Sequence, residues 1–339
     1  MTTKVAIELV VLILTTFFLF FVVDKILGEI IYHYSYIDND NFVAIQRINK
    51  FNDSKSKNKI IILGSSMSRE GVDEKYLADQ IVGSEIYNFS ISSGKPSDFF
   101  LIASQLNGVK TARLAIICIS PWMFQKNYTD SILNKNDPVT NLFFNPQAIL
   151  KIIPLRWQDS SWFLGRSVYS FFNVLKYNDY LKQILDHSNL SFWKTKDELT
   201  LPAIWNQYGY TKNYSEDYFA AAIKDSTIKS RFGGDYYWNS DDSVQMRALA
   251  AVTSQLREQG VKILVIDMPV NPYIKKLYDK NTEADFAAAM ATMIPRQDFY
   301  EEAFLYGKSK FIDFDHLNYK GRTLFSINLA RKIAALHVF

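Results

Sequence analysis

A chain of 339 residues with 48% hydrophobic and 15% aromatic content can bury a full core in one large or two modest domains, which excludes a disordered protein. Its formal net charge of +3 is spread thinly, with no basic stripe, so nucleic-acid binding finds no support. One cysteine, Cys118, excludes an internal disulfide and a cysteine-rich zinc site, and the four histidines (His33, His187, His316, His337) show no metal-ligand spacing, so no metal or organic cofactor is expected.

The chain begins with an apolar run over residues 5–23, broken only by Glu8, Thr15 and Thr16. At about nineteen residues it is close to the length a helix needs to cross a bilayer's hydrocarbon core. Asp24-Lys25-Ile26-Leu27-Gly28-Glu29 follows it where a cleavable signal would carry a small-x-small site. The expectation is a retained transmembrane anchor over residues 1–28. With Lys4 and the terminal amine on its near side, the N-terminus is expected in the cytoplasm and the remainder outside it, as a single-pass protein of the cell membrane. Residues 29–58 read as a polar connector, helical or loosely ordered, ending in the linker-like stretch 52–58.

Short apolar runs then alternate with amphipathic helices. Lys59-Ile60-Ile61-Ile62-Leu63 reads as a strand covered on both faces. Asp73 can cap a helix over 74–81, and a strand over 85–89, a helix from about 97 to 106 and a strand over 114–119 follow; Cys118 in that last strand reads as a small buried hydrophobe. The alternation resumes with a helix from about 242 to 258, a stop at Gly260, and a strand over 261–266. A short strand around Phe311 and Ile312 and a final helix over 319–335 complete it. This pattern predicts an α/β domain, a doubly wound parallel sheet of flavodoxin-like winding, built from residues 59–130 and 242–339. Residues 131–241, rich in aromatics such as Trp157, Trp162, Trp193, Trp205 and Trp238, break the alternation and read as a mainly helical insertion or cap. Their rings suit either a wall for a glycan or acyl chain or a plain aromatic core.

Two motifs carry chemistry. Gly64-Ser65-Ser66 lies at the turn after the first strand, where a serine is presented on the sheet edge and the amides of the next turn can face an oxyanion. Asp313-Phe314-Asp315-His316 places a carboxylate three residues before a histidine, so Asp313 can hold Nδ1 and leave Nε2 for a serine; Asp315, adjacent to His316, is expected to point elsewhere.

Together these blocks resemble those of the SGNH/GDSL hydrolases. Ser65 stands where the first block usually has aspartate, and Ser66 stands at the nucleophile position. Asn88-Phe89-Ser90-Ile91-Ser92-Ser93-Gly94 resembles the second block, with Ser90 where glycine is common. The third block, Ser120-Pro121-Trp122-Met123-Phe124, lacks the family's asparagine. The resemblance implies a Ser66–His316–Asp313 triad, with the backbone amide of Ser90, Gly64 and Trp122 serving the oxyanion or the substrate. It lies nearest the membrane-anchored branch, which includes the D-alanyl-lipoteichoic acid biosynthesis proteins and the accessory proteins of envelope polysaccharide acetylation. That branch implies acyl-ester chemistry on an envelope glycan or polymer beside a membrane-bound O-acyltransferase. The alternative is a non-catalytic glycan-binding or scaffolding partner of such an enzyme.

Overall fold

The computed structural model describes residues 3–34, 40–126, 142–152, 160–172, 235–236, 238, 243–278, 281–301 and 306–338. Most of the 131–241 segment, including Trp157, Trp193 and Trp205, therefore lies outside the described residues, as does His187. The protein is α/β: five parallel strands and, among the described residues, eleven α-helices. The helix α1 (Thr3–Tyr34) contains the stretch Glu8–Gly28, which is long and apolar enough to cross a membrane.

The strands are β1 (Lys59–Leu63), β2 (Glu85–Asn88), β3 (Ala112–Ile119), β4 (Lys262–Asp267) and β5 (Phe299–Glu301). Their order across the sheet is β2-β1-β3-β4-β5. β1, β3 and β4 are almost wholly buried, which explains their continuous apolar runs: helices cover a parallel sheet on both faces. On one face lie α3 (Ser66–Gly71), α4 (Glu74–Gln80) and α11 (Tyr319–Ala335), which pack together. A second mutually packed group comprises α5 (Pro96–Ala103), α6 (Pro146–Ile152) and α8 (Val244–Glu258). Because the chain leaves β1 for β2 on one side and then returns to β3 on the other, the gap between the carboxyl ends of β1 and β3 is a topological switch point, the place where such sheets hold their sites.

Three features depart from the sequence expectations. Of the two forms expected for the connector, residues 40–53 take the helical one, α2 (Asp40–Asp53), but it is docked on the domain and not free of it. Its buried Ile45, Ile48 and Phe51 join the core, and Arg47 donates to the carbonyl of Asn88 at the end of β2 and pairs with Glu74 at 3.2 Å. The last strand is Phe299–Glu301, paired with β4 from Val265↔Phe299 onward, and not the 311–312 pair. Phe311 and Ile312 instead close a turn: Phe311 bridges Leu317, and the Ile312 amide donates to the His316 carbonyl at 2.9 Å. Two apolar residues between Lys310 and Asp313 are too few to make a ladder once one amide is spent locally. Finally, α9 (Pro272–Lys275) and α10 (Thr282–Met293) occupy the 267–298 region that carried no predicted element.

The Lys59 side chain is fully buried and ties α2 to the sheet. Its ammonium donates to the carbonyls of Phe51 (2.8 Å) and Ser54 (2.7 Å) and lies 4.5 Å from the centre of the Phe51 ring. A cation at the carboxyl end of a helix satisfies carbonyls that have no partner within the helix and meets the negative end of its dipole. Lys59→Met keeps the stem and removes the donors, leaving the buried Phe51 carbonyl and the half-buried Ser54 carbonyl unmet. The full chain in detergent is expected to lose about 2 kcal/mol in denaturant unfolding; an unchanged midpoint would mean that the ammonium does not hold α2.

Candidate active site

Ser66 is the first residue of α3. Ser65, its N-cap, sits in extended backbone (φ −93°, ψ −170°), and its hydroxyl accepts from the Met67 amide at 3.3 Å. A serine thus performs at this turn the capping that an aspartate also performs well. Gly64 is required by space: a Cβ there would meet Ser68 Oγ at 1.9 Å and Cys118 Cβ at 3.0 Å. The block is therefore folded so tightly that Ser68 is fully buried, its hydroxyl donating to Ser65 O (2.9 Å) and lying 2.8 Å from Ser90 Oγ. Cys118, just behind it, is buried, and burial pushes its thiol up to about 12.

The second motif is held by a network of its own. Asp313 Oδ1 accepts from the amides of Asp315 (3.1 Å) and His316 (2.8 Å), so the carboxylate curls over its own turn. Its Oδ2 then lies 2.8 Å from His316 Nδ1. From the end of β4, the fully buried Asn271 reaches across: its amide donates to Phe314 O (3.1 Å) and its side chain to Asp313 O (3.2 Å). From the other side Asn318 caps α11 through the Gly321 amide and donates to Ser309 O at 2.8 Å. Gly321 admits the close approach, since a Cβ there would sit 2.3 Å from the Lys310 carbonyl.

These two turns bring Ser66 Oγ to 2.8 Å from His316 Nε2 across a sequence separation of 250 residues. All three of Ser66, His316 and Asp313 are partly open to solvent. The charge balance around the imidazole is strongly acidic. Burial by itself would lower His316, but the Asp315 charge, the hydrogen bond and charge of Asp313, and the Glu70 carboxylate outweigh it and raise the imidazole to about 9. For Asp313, burial pushes the carboxyl up, while the His316 hydrogen bond and charge and the two amides hold it below its ordinary value.

Asp315 does not point elsewhere as expected: it is 2% exposed and its Oδ1 lies 3.3 Å from His316 Nδ1. Glu70, one turn along α3 from Ser66, has its Oε2 4.0 Å from Nε2 and its Oε1 paired with Arg69 at 3.0 Å. Neither was legible as part of the site, since Glu70 shows only helical spacing to Ser66 and Asp315 only adjacency. Asn271 did carry a readable signal, the Asn-Pro pair that starts a turn. Asp313, Asp315 and His316 bring potential metal-ligand atoms within 4.8 Å of one another, but both imidazole nitrogens are already hydrogen-bonded, and an ion would have to displace one of those partners.

Two residues expected in supporting roles are taken up by the fold's own contacts. The Ser90 amide donates to Asn88 Oδ1 at 3.1 Å, and its hydroxyl faces Ser68, so both groups are hydrogen-bonded within this part of the fold. Trp122 is 2% exposed, with Nε1 3.4 Å from Met67 Sδ; it supports α3 from below and offers no face to a substrate. The residues of the second block that do reach the open edge are Ser92, which accepts from Arg69 at 3.1 Å, and Ser93, held at φ +54°.

Among known proteins, the model of an uncharacterised family matches residues 236–337, a segment that includes β4, β5 and the 313–316 turn but not Ser66. No curated protein matches the chain.

The acidic surroundings of His316 predict a signed dependence of stability on pH. Its folded value lies near 9 against an ordinary 6.5, so it contributes stability that is complete below pH 6.5 and is lost as pH rises through 9. The stability gap between the natural chain and His316→Gln should therefore be widest at pH 6 and narrow steadily toward pH 10 in denaturant titrations. A gap that is constant over that range would contradict the raised value.

Proposed function

We propose that this chain is a membrane-anchored serine esterase or O-acyltransferase of the SGNH type, acting on acyl esters of an envelope polysaccharide or teichoic-acid-like polymer through an acyl-Ser66 intermediate. The observation that carries it is the continuous chain of contacts from Ser66 Oγ through both nitrogens of His316 to Asp313, with each link at 2.8 Å. The 2-1-3-4-5 strand order and the position of Ser66 at the switch point suit a flavodoxin-like, SGNH-like sheet. The apolar length of α1 suits a single span with a cytoplasmic N-terminus and the α/β domain outside.

In this reading neutral His316 takes the proton from Ser66 as its oxygen attacks the ester carbonyl, and Asp313 holds the resulting imidazolium in register. The Ser66 amide, at the first turn of α3, faces the developing oxyanion. His316 then returns the proton to the departing alkoxide, leaving acyl-Ser66. Water or a sugar hydroxyl, deprotonated by the same imidazole, completes hydrolysis or transfer.

A second reading, a non-catalytic glycan-binding or scaffolding partner of a membrane-bound O-acyltransferase, draws on the 120–124 turn, which carries no asparagine, and on the spent Ser90 amide. Both leave fewer donors for an oxyanion. A fluorophosphonate probe separates the two, because only an activated serine reacts. Labelling of the natural chain and its loss in Ser66→Ala are expected, with ester turnover falling by about a thousandfold or more in that variant while its circular dichroism is unchanged. Absence of labelling in the natural chain would favour the scaffold.

The raised imidazole has a kinetic counterpart. At neutral pH most His316 is imidazolium and cannot accept the serine proton, so kcat/KM on an ester is expected to climb with pH toward a limb near 9. Asp315→Asn removes the strongest of the charges that raise it and should move that limb to lower pH. A profile already flat at pH 7 in the natural chain would remove His316 from the role of base.

A further inference from the structure

We propose that the helix α7 (Ser160–Phe171) is a second membrane contact, with the stripe Leu164, Val168 and Phe171 seated in the hydrocarbon of the bilayer that α1 crosses. This rests on the reading of α1 as a membrane span. It changes the picture from a domain on one tether to a domain held by a span and an inserted helix.

The stripe is one face of the helix, at spacing i, i+4, i+7, and its members are 63%, 52% and 54% exposed. On other sides of α7, Trp162 and Phe163 pack on the ring of Phe144, and Arg166 is buried. The two serines near its end present no loose donors, since Ser167 donates to the Phe163 carbonyl at 2.8 Å and Ser170 to the Ser167 carbonyl at 2.9 Å. Hydroxyls satisfied within their own helix are what an apolar solvent demands.

The apolar face is also continuous with α1. Phe171 meets Phe21 with ring centres 5.7 Å apart, and Phe172 meets Phe20 at 5.8 Å and Phe17 at 6.5 Å. The carboxyl end of α7 and Phe172 just beyond it thus lie against the second half of the span. Phe17 lies eleven residues inside Gly28, the end of the apolar stretch. At a rise of 1.5 Å per residue that is about 16 Å, roughly half of a hydrocarbon core about 30 Å thick. If α1 spans, the ring of Phe172, between those of Phe17 and Phe20, is in the hydrocarbon, and Phe171, beside Phe21 and Lys25, is nearer its surface. Lys25, near the end of the span, donates to the Phe171 carbonyl at 3.2 Å and lies over the rings of Phe21 and Phe171, closing the last turn of α7 at the level where a lysine reaches headgroups.

Nitroxides report this directly. The full chain, with the buried Cys118 left in place, would carry a single added spin label through Leu14→Cys, Val82→Cys, Leu164→Cys or Val168→Cys in vesicles of phosphatidylcholine and phosphatidylglycerol. Positions 14, 164 and 168 are expected to show a several-fold higher ratio of oxygen to nickel-chelate collision than position 82. Position 14 in lipid with 164 and 168 matching 82 would overturn the proposal while sparing the anchor, and would leave the stripe for a protein partner. Position 14 itself in water would remove both. The natural chain gives an independent reading: a bilayer-dissolved carbene precursor should modify the peptide containing residues 160–172, and label confined to the α1 peptide would overturn the proposal.

Discussion

Asn271 couples the sheet to the turn that carries Asp313 and His316. It sits just beyond β4, fully buried, and spends both its backbone and side-chain N–H groups on carbonyls of that turn. Together with Asn318 on the α11 side it ties the Asp313–His316 pair to the body of the fold, since no strand leads into residue 313. With it, two short polar turns from opposite ends of the chain share one frame, and a contact of 2.8 Å between Ser66 and His316 becomes a property of the sheet. Precision at this scale needs support of this kind, because catalytic groups displaced by an ångström lose much of their effect.

The same frame explains why the serines around Ser66 are not alternatives to it. Ser65 caps α3, Ser68 and Ser90 satisfy each other in the interior, and only Ser66 is both partly open and within reach of an imidazole. The acidic side of the site is more crowded than a triad requires. Asp315 and Glu70 join Asp313 around one ring, which stabilises the charged imidazole and sets the pH at which it can act as a base.

Much of this was legible in the sequence where burial is one-dimensional. β1, β3 and β4 are apolar on both faces and read as such, and α4 announced itself through its cap, Asp73. The spacing of Asp313 and His316 carried its geometry because the carboxylate curls over its own turn. What stayed hidden depends on partners distant in sequence. β5 has three residues and exists only by pairing with β4; α2 resembles a linker until Phe51 and Lys59 are seen to meet. Trp122 looked like a binding residue because large aromatics serve both cores and sites, and only its burial under α3 decides between them.

The docking of α2 has a consequence for reach. Since that helix belongs to the α/β body from Asp40 onward and α1 ends at Tyr34, the leash between them is six Cα steps, about 21 Å at full extension. A body on so short a connection stays within that distance of the end of α1. With α1 in a bilayer, the body that carries Ser66 and His316 would be held close to the lipid surface, and whatever meets that pair would have to reach it there.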